Sequence, residues 1–159
     1  MLEADPLALH GFGEVALRLG LAALVGLLLG FDREMRGVDA GIRTHALVAL
    51  SSAMIMMSSL LLFDHLRAQG DAPDPLRAVQ GLSQAIGFIA AGMIFVRGGA
   101  VRNMTTAANI WIACAVGIAC GAGQYLLVLV GAGLALALLT VLKVMERWLP
   151  APKGGKDED

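Results

Sequence analysis

The sequence predicts an all-α membrane protein, a bundle of about five transmembrane helices, on three observations. A run without a single charge extends from Asn103 to Leu142. A bilayer core of roughly 30 Å takes about 20 helical residues at 1.5 Å each, so this run is too long for one crossing and suits two. It carries its own break, Gly121-Ala122-Gly123-Gln124, near its middle. Second, hydrophobic residues make up 57% of the chain and charged residues 16%, against roughly 25% charged in an ordinary soluble domain. The mean hydropathy is +0.73, more apolar surface than a core of this size can hide. Third, charges and turn residues cut the chain into five apolar segments.

The first segment is Val15 to Phe31, with Arg18 near its start. The second is Thr44 to Phe63. The third lies between Arg77 and Arg97, and its first half is polar through Gln80, Ser83 and Gln84. The fourth runs from Met104 to Cys120 and the fifth from Tyr125 to Val144. Between the second and third, Asp64 to Arg77 contains Gly70, Asp71, Pro73, Asp74 and Pro75, which reads as a loop. This organises the chain as an outer N-terminal segment (1–14), a transmembrane domain (15–145) and a polar tail (146–159). The N-terminal segment holds Glu3, Asp5 and Glu14 and no basic residue, unlike a secretory signal, so the first helix is expected to be retained. The tail, PAPKGGKDED from Pro150, is expected to be disordered.

Lys and Arg set direction. With the N-terminus outside, the inner parts hold Arg33, Arg36, Arg43, Arg97, Arg102, Lys143, Arg147, Lys153 and Lys156, and the outer parts only Arg18, Arg67 and Arg77. The bias predicts N-terminus out and C-terminus in, with Trp148 as an interfacial anchor.

Small residues recur every four positions on three helices: Ala22, Gly26 and Gly30; Ser83, Gly87 and Ala91, with Gly92 beside them; Ala113, Gly117 and Gly121. Helices in lipid associate through such close-packing stripes. Packing within the bundle is the plain reading, and one stripe could serve a partner. Cys114 and Cys120 fall on one predicted helix and read as small packing residues rather than a metal pair or a disulfide.

The chemistry is narrow. No P-loop, Ser-His-Asp or Cys-His arrangement stands out, and His10, His45 and His65 are scattered. An enzyme is not expected, no cofactor is called for, and nothing suggests nucleic acid. Asp and Glu stay at segment ends, which weighs against a stand-alone carrier of bare Mg²⁺. Polar residues gather where segments one, two and four meet the inner side: Asp32-Arg33-Glu34, Gly41-Ile42-Arg43-Thr44-His45 and Asn103-Met104-Thr105-Thr106, with Asn109 and Trp111 following. Thr44, Asn103 and Thr105 are placed to cap helix starts. Helix N-termini beside Arg43, Arg97 and Arg102 would favour an anion such as a lipid phosphate. The alternative is capping with internal pairing of Arg33, Arg36 and Arg43 to Asp32, Glu34 and Asp39.

The same residues resemble the MgtC/SapB family of bacterial inner-membrane proteins. Arg18-Leu19 through Gly26, Gly30 and Asp32-Arg33-Glu34 looks like its first helix and acidic-Arg-Glu exit. Ala40-Gly41-Ile42-Arg43-Thr44-His45-Ala46-Leu47-Val48 is similar to its AGxRTHxLV motif. Arg77, Gln80-Gly81 and Ile86 to Gly92 resemble its RxxQG and GIGFLGAG stretch. Met104-Thr105-Thr106-Ala107-Ala108-Asn109-Ile110-Trp111, then Gly117 and Gly121, resemble LTTAAxxW…G…G. The likeness covers Arg18 to Leu142. It departs at Ala85, Ala90 and Asn103, where Gly is usual, and at Ser51-Ser52. The name-giving member carries a soluble domain after its last helix, so this chain looks like the short, membrane-only branch.

The resemblance implies a multi-pass protein of the bacterial inner membrane connected to Mg²⁺ homeostasis. Two mechanisms follow from it. One is regulation through helix contact with another membrane complex such as the ATP synthase. The other is a transporter or channel-like role for Mg²⁺ or a linked solute. The partners implied are the lipid bilayer, a membrane protein or a second copy, and Mg²⁺, for which the sequence names no ligands.

Overall fold

The computed structural model describes residues 11–35, 37–38, 40–71, 73–97 and 100–146. Its five helices are α1 (Phe12–Glu34), α2 (Ile42–Ala68), α3 (Leu76–Met93), α4 (Met104–Gly121) and α5 (Tyr125–Glu146). Between α3 and α4 lies a two-stranded antiparallel ladder, β1 (Phe95–Arg97) and β2 (Ala100–Arg102). The N-terminal residues to His10 and the tail from Arg147, Trp148 included, lie outside the described residues.

Each apolar segment becomes a helix, extended where polar flanks add a turn. The α1 stretch is Leu- and Ala-rich, a composition that favours helix. Glu14 sits in its first turn and Arg33 in its last, each on the side the helix dipole favours. The predicted loop start is corrected: α2 continues through Asp64 to Ala68, 27 residues. At about 1.5 Å per residue it exceeds the hydrocarbon thickness by some 10 Å, so its last turns stand clear of the core or the helix tilts. Along α2 the hydroxyls of Ser52 and Ser59 return to the carbonyls of Val48 and Ile55 at 2.8 Å, which satisfies them without water. At the start of α3 the Asp74 carboxylate accepts from the Leu76 amide at 2.9 Å.

Three helices, α1, α2 and α4, are long and apolar enough to cross a membrane. The α5 helix stays apolar from Tyr125 to Val141. The α3 helix has the same 18 residues as α4, but Arg77, Gln80 and Gln84 lower its hydropathy. Centrality falls to α4, whose apolar window is 61% buried against 22% for α1 and 28% for α2. Ala22, Val25 and Leu29 of α1, Ala53 of α2, Ala113, Val116, Ala119 and Cys120 of α4 and Val128 and Ala132 of α5 form the main core. Ile86 of α3 packs with Ala40, Ile110 and Cys114 in a second cluster. Both cysteines are free and buried. Large side chains on the outer faces, such as Leu126 and Leu129, are exposed for lipid.

Two small-residue stripes are consumed inside the bundle. A Cβ on Gly26 would lie 2.7 Å from the His45 carbonyl oxygen, and one on Gly30 2.6 Å from the Ile42 Cα. Gly117 and Gly121 press α4 in the same way on the carbonyls of Ala49 and Ala53 of α2. The third stripe is corrected. Gly87 packs with a Cβ position 3.3 Å from the Trp111 ring and Ser83 is half-buried, its hydroxyl turned back to the Val79 carbonyl, while Ala91 and Gly92 are exposed and Gly92 has open space beside it.

Candidate functional site

The end of α1, the starts of α2 and α4, and the end of α3 meet at one end of the bundle. The motif residues gather there in two groups. The inner group is built on Arg33, which is 4% exposed and donates from Nη2 to the Thr106 hydroxyl. A guanidinium buried in a helix bundle needs oxygen partners, and α4 supplies one from its first turn. His45 is fully buried beside it. Its Nδ1 lies 2.9 Å from the Gly41 carbonyl, which can only accept, so this nitrogen carries the proton. Asn109, one turn above Thr106, is also buried. His45 Nε2 and Asn109 Nδ2 have no hydrogen-bond partner among the described residues. Deeper still, the Ser52 hydroxyl lies 3.3 Å from the Cys114 sulfur.

The outer group is built on Glu34. Its carboxylate accepts from the Ile42 amide at 3.1 Å and so caps α2 from the neighbouring helix. The space it fills is where a Gly41 side chain would stand, which gives the glycine of the Ala40-Gly41-Ile42-Arg43-Thr44 motif a physical reason. Glu34, Gly41, Ile42, Arg43 and Thr44 line a polar cavity of about 570 Å³.

Several expectations change. Thr44 does not cap α2, because Gly41 holds the cap position and Glu34 supplies the acceptor. Asn103 stands at the cap position of α4 but makes no side-chain cap bond. Its role is conformational: φ is 64°, a region asparagine and glycine tolerate, which explains why Asn can stand where Gly is usual. Thr105 is exposed and parts from Thr106. Arg43 is exposed and has no ion pair among the described residues, so its pairing with an acidic neighbour is not found. The start of α2 already holds a carboxylate, so it offers no vacant anion seat. Asp32 is half-buried, and Arg36 and Asp39 lie outside the described residues. Trp111 packs on Gly87 and remains 44% exposed.

Sequence reading underrated two residues. His45 looked like one of three scattered histidines and is a fully buried core group. Arg18 looked like a lone outer charge. It bonds the Gly121 carbonyl at 2.8 Å, pairs with Glu14 and lies over Gly123, whose φ of 72° turns the chain into α5. Arg18 thus holds the end of α4 as Arg33 holds its beginning. The signal for both was a positive charge embedded in an apolar helix.

Chemically the site is one of binding and positioning: a guanidinium, a hydroxyl, an amide and an imidazole, with one capping carboxylate. No group of three His, Cys, Asp or Glu that could hold a metal ion is found among the described residues.

Comparison with known proteins places these motifs in context. The profile of the MgtC family matches residues 19–148. The chain is 40% identical over 129 residues to the Escherichia coli (strain K12) protein named "Putative magnesium transporter YhiD", covering 80% of this chain and 60% of that protein. It is 36% identical over 150 residues to Protein SrpB of Synechococcus elongatus, covering 85% of this chain and 79% of that one. Protein MgtC of Brucella abortus is 42% identical over 102 residues, which are 64% of this chain and 40% of the relative. The chain thus spans 60% or less of the length of these YhiD and MgtC relatives. No solved structure matches.

Proposed function

From the premise that this chain belongs to the MgtC family, we propose that it serves Mg²⁺ homeostasis as a regulatory membrane protein that docks, helix to helix, on another membrane complex such as the ATP synthase. The observation that carries this reading is the outer face of α3. Gln80, Gly81, Gln84 and Ala85 are exposed there, and Phe88 is 83% exposed. Neither glutamine amide has a partner among the described residues. Gln84 lies about 12 Å along the helix from Leu76, near the middle of a bilayer. Lipid tails cannot hydrogen-bond an amide, and a neighbouring helix can. The stripes on α1 and α4 are taken up inside the bundle, which leaves α3 as the docking face. In this reading the N-terminus lies outside, the C-terminus inside, and the membrane is the bacterial inner membrane.

The test is photocrosslinking in native membranes from a photoreactive residue at Gln84, with Leu129 on the lipid face of α5 as control. A discrete adduct from Gln84 alone, lost on Gly81→Leu, supports docking. Equal, diffuse labelling from both positions counts against it.

The transporter reading has support in the name borne by the YhiD relative. The polar third segment, Gln80, Ser83 and Gln84, and Asn109 of the fourth would be its path, but Gln80 and Gln84 face outward on α3 and the Ser83 hydroxyl turns back to the Val79 carbonyl, whereas Asn109 is buried on α4. Folded protein in liposomes should therefore move no Mg²⁺ beyond empty vesicles. Flux abolished by Asn109→Leu would reverse the order of the two readings.

A further inference from the structure

The ladder between α3 and α4 was not expected from sequence, and its surface is unusual. Phe95 pairs with Arg102, Val96 with Val101 and Arg97 with Ala100. Alternation puts Val96 and Val101 on one face and Phe95 and Arg102 on the other. Val96 is 70% exposed and Val101 53%, and they are flanked by Ile94 at 40% and Met104 at 62%. A two-stranded hairpin standing in water is marginal at best, since nothing covers its apolar side. The β1–β2 hairpin has helices close on either side of it. It is tied within two residues at each side to Met93 and Met104, the ends of two helices packed side by side in the bundle.

Charge indicates what covers it. Arg102 makes no ion pair among the described residues. The sequence from Pro75 to Met145 contains no Asp or Glu, while Arg97 and Arg102 both stand in this segment. The basic groups therefore have no acidic neighbour in their own stretch of chain. Val96 and Val101 on one face, with Arg102 beside Phe95 on the other, match the boundary between acyl chains and phosphates.

We propose that the β1–β2 ladder is an interfacial anchor for anionic phospholipid, with Val96 and Val101 turned into the acyl boundary and Arg102 on headgroup phosphates. It thereby fixes the depth of the first turn of α4, where Thr106 meets Arg33. The proposal rests only on the bundle spanning a bilayer and is independent of the docking face on α3.

The test uses the whole chain in nanodiscs, with a nitroxide on Val96→Cys and a control on Asp71→Cys in the α2–α3 loop. Cys114 and Cys120 are 3% and 0% exposed, and the unsubstituted chain reports any background labelling. Dissolved oxygen should relax the Val96 label more than a water-soluble nickel chelate does, and the Asp71 label should show the reverse. In discs containing phosphatidylglycerol, Arg102→Gln should raise nickel access at Val96 at least about twofold, as expected when a phosphate contact is lost. In phosphatidylcholine discs it should not. Nickel access at Val96 equal to that at Asp71 overturns the proposal. So does spin–spin broadening between two labelled chains, which would make the face a protein interface. An unchanged Val96 label on Arg102→Gln in anionic discs overturns the headgroup contact. A label on Leu134→Cys of α5 separates the premises: nickel access there means that the bundle does not span the bilayer at all.

Discussion

Gly26→Ala and Gly20→Ala are the same chemical change on the same helix, six residues apart, and the structure predicts opposite signs. A methyl on Gly26 would lie 2.7 Å from the His45 carbonyl oxygen, 2.8 Å from the Ala46 Cα and 3.0 Å from the Ala49 Cβ. Ordinary contact begins at 3.4 Å, so α1 and α2 must part by about 0.7 Å. Two of the three atoms belong to backbone that cannot swing aside. Such overpacking costs about 1–3 kcal/mol, offset by up to about 1 kcal/mol from alanine's better helix propensity. The net loss is about 1 kcal/mol. At Gly20 nothing lies within 4 Å, so only the propensity gain remains, up to about 1 kcal/mol. The two variants should therefore differ by about 2 kcal/mol, roughly 30-fold in the folding equilibrium. Unfolding of the helical signal with denaturing detergent in bicelles measures this directly. Variants of equal stability, or a destabilised Gly20→Ala, would refute the claim that α1 and α2 meet backbone to backbone at Gly26.

Three further outcomes follow from the site. Thr106→Val keeps the shape but removes one hydrogen-bond acceptor of a buried guanidinium, and should cost about 1–3 kcal/mol, whereas Thr105→Val on the exposed position should be near neutral. Thermal unfolding of both in one detergent decides it. Gly41→Ala should expel the Glu34 carboxylate and cost about 1 kcal/mol, with faster hydrogen exchange at the Ile42 amide as its signature. Glu34→Ala should speed the same amide without further loss in the double variant. Arg18→Ala should loosen the α4–α5 turn, read as faster exchange of the Gly123 and Gln124 amides, with the Ile42 amide unchanged.

Helix number and placement were legible because lipid imposes a length on apolar runs. The starts of α4 and α5 were readable to the residue from Met104 and Tyr125. The end of α2 was not, because Asp64 to Ala68 continues the helix into surroundings where charge is no longer penalised. The ladder was hidden by its size: three residues a side, joined through Gly98-Gly99, leave no periodicity to read. At the site, the motifs named the correct ends of the correct helices. They could not say which of Thr105 and Thr106 turns inward, since that depends on the rotation of α4 set by Gly117 and Gly121 against α2. Nor could they show that Glu34 caps a helix other than its own, a contact made across the α1–α2 connection.

Arg18 and Arg33 sit 15 residues apart on α1, and Gly121 and Thr106, which they hold, are 15 apart on α4. The matched spacing makes the pair a ruler. At 1.5 Å per residue the two charged latches are separated by about 22 Å, well short of a hydrocarbon core of roughly 30 Å. Both latches therefore fall within the depth of the hydrocarbon core, and the packed helices keep each from lipid: Arg33 is 4% exposed and the Arg18 side chain 12%. Made inside the protein, the two latches fix the register of α1 against α4 at both ends at once, so that neither helix can slide along the other without breaking both.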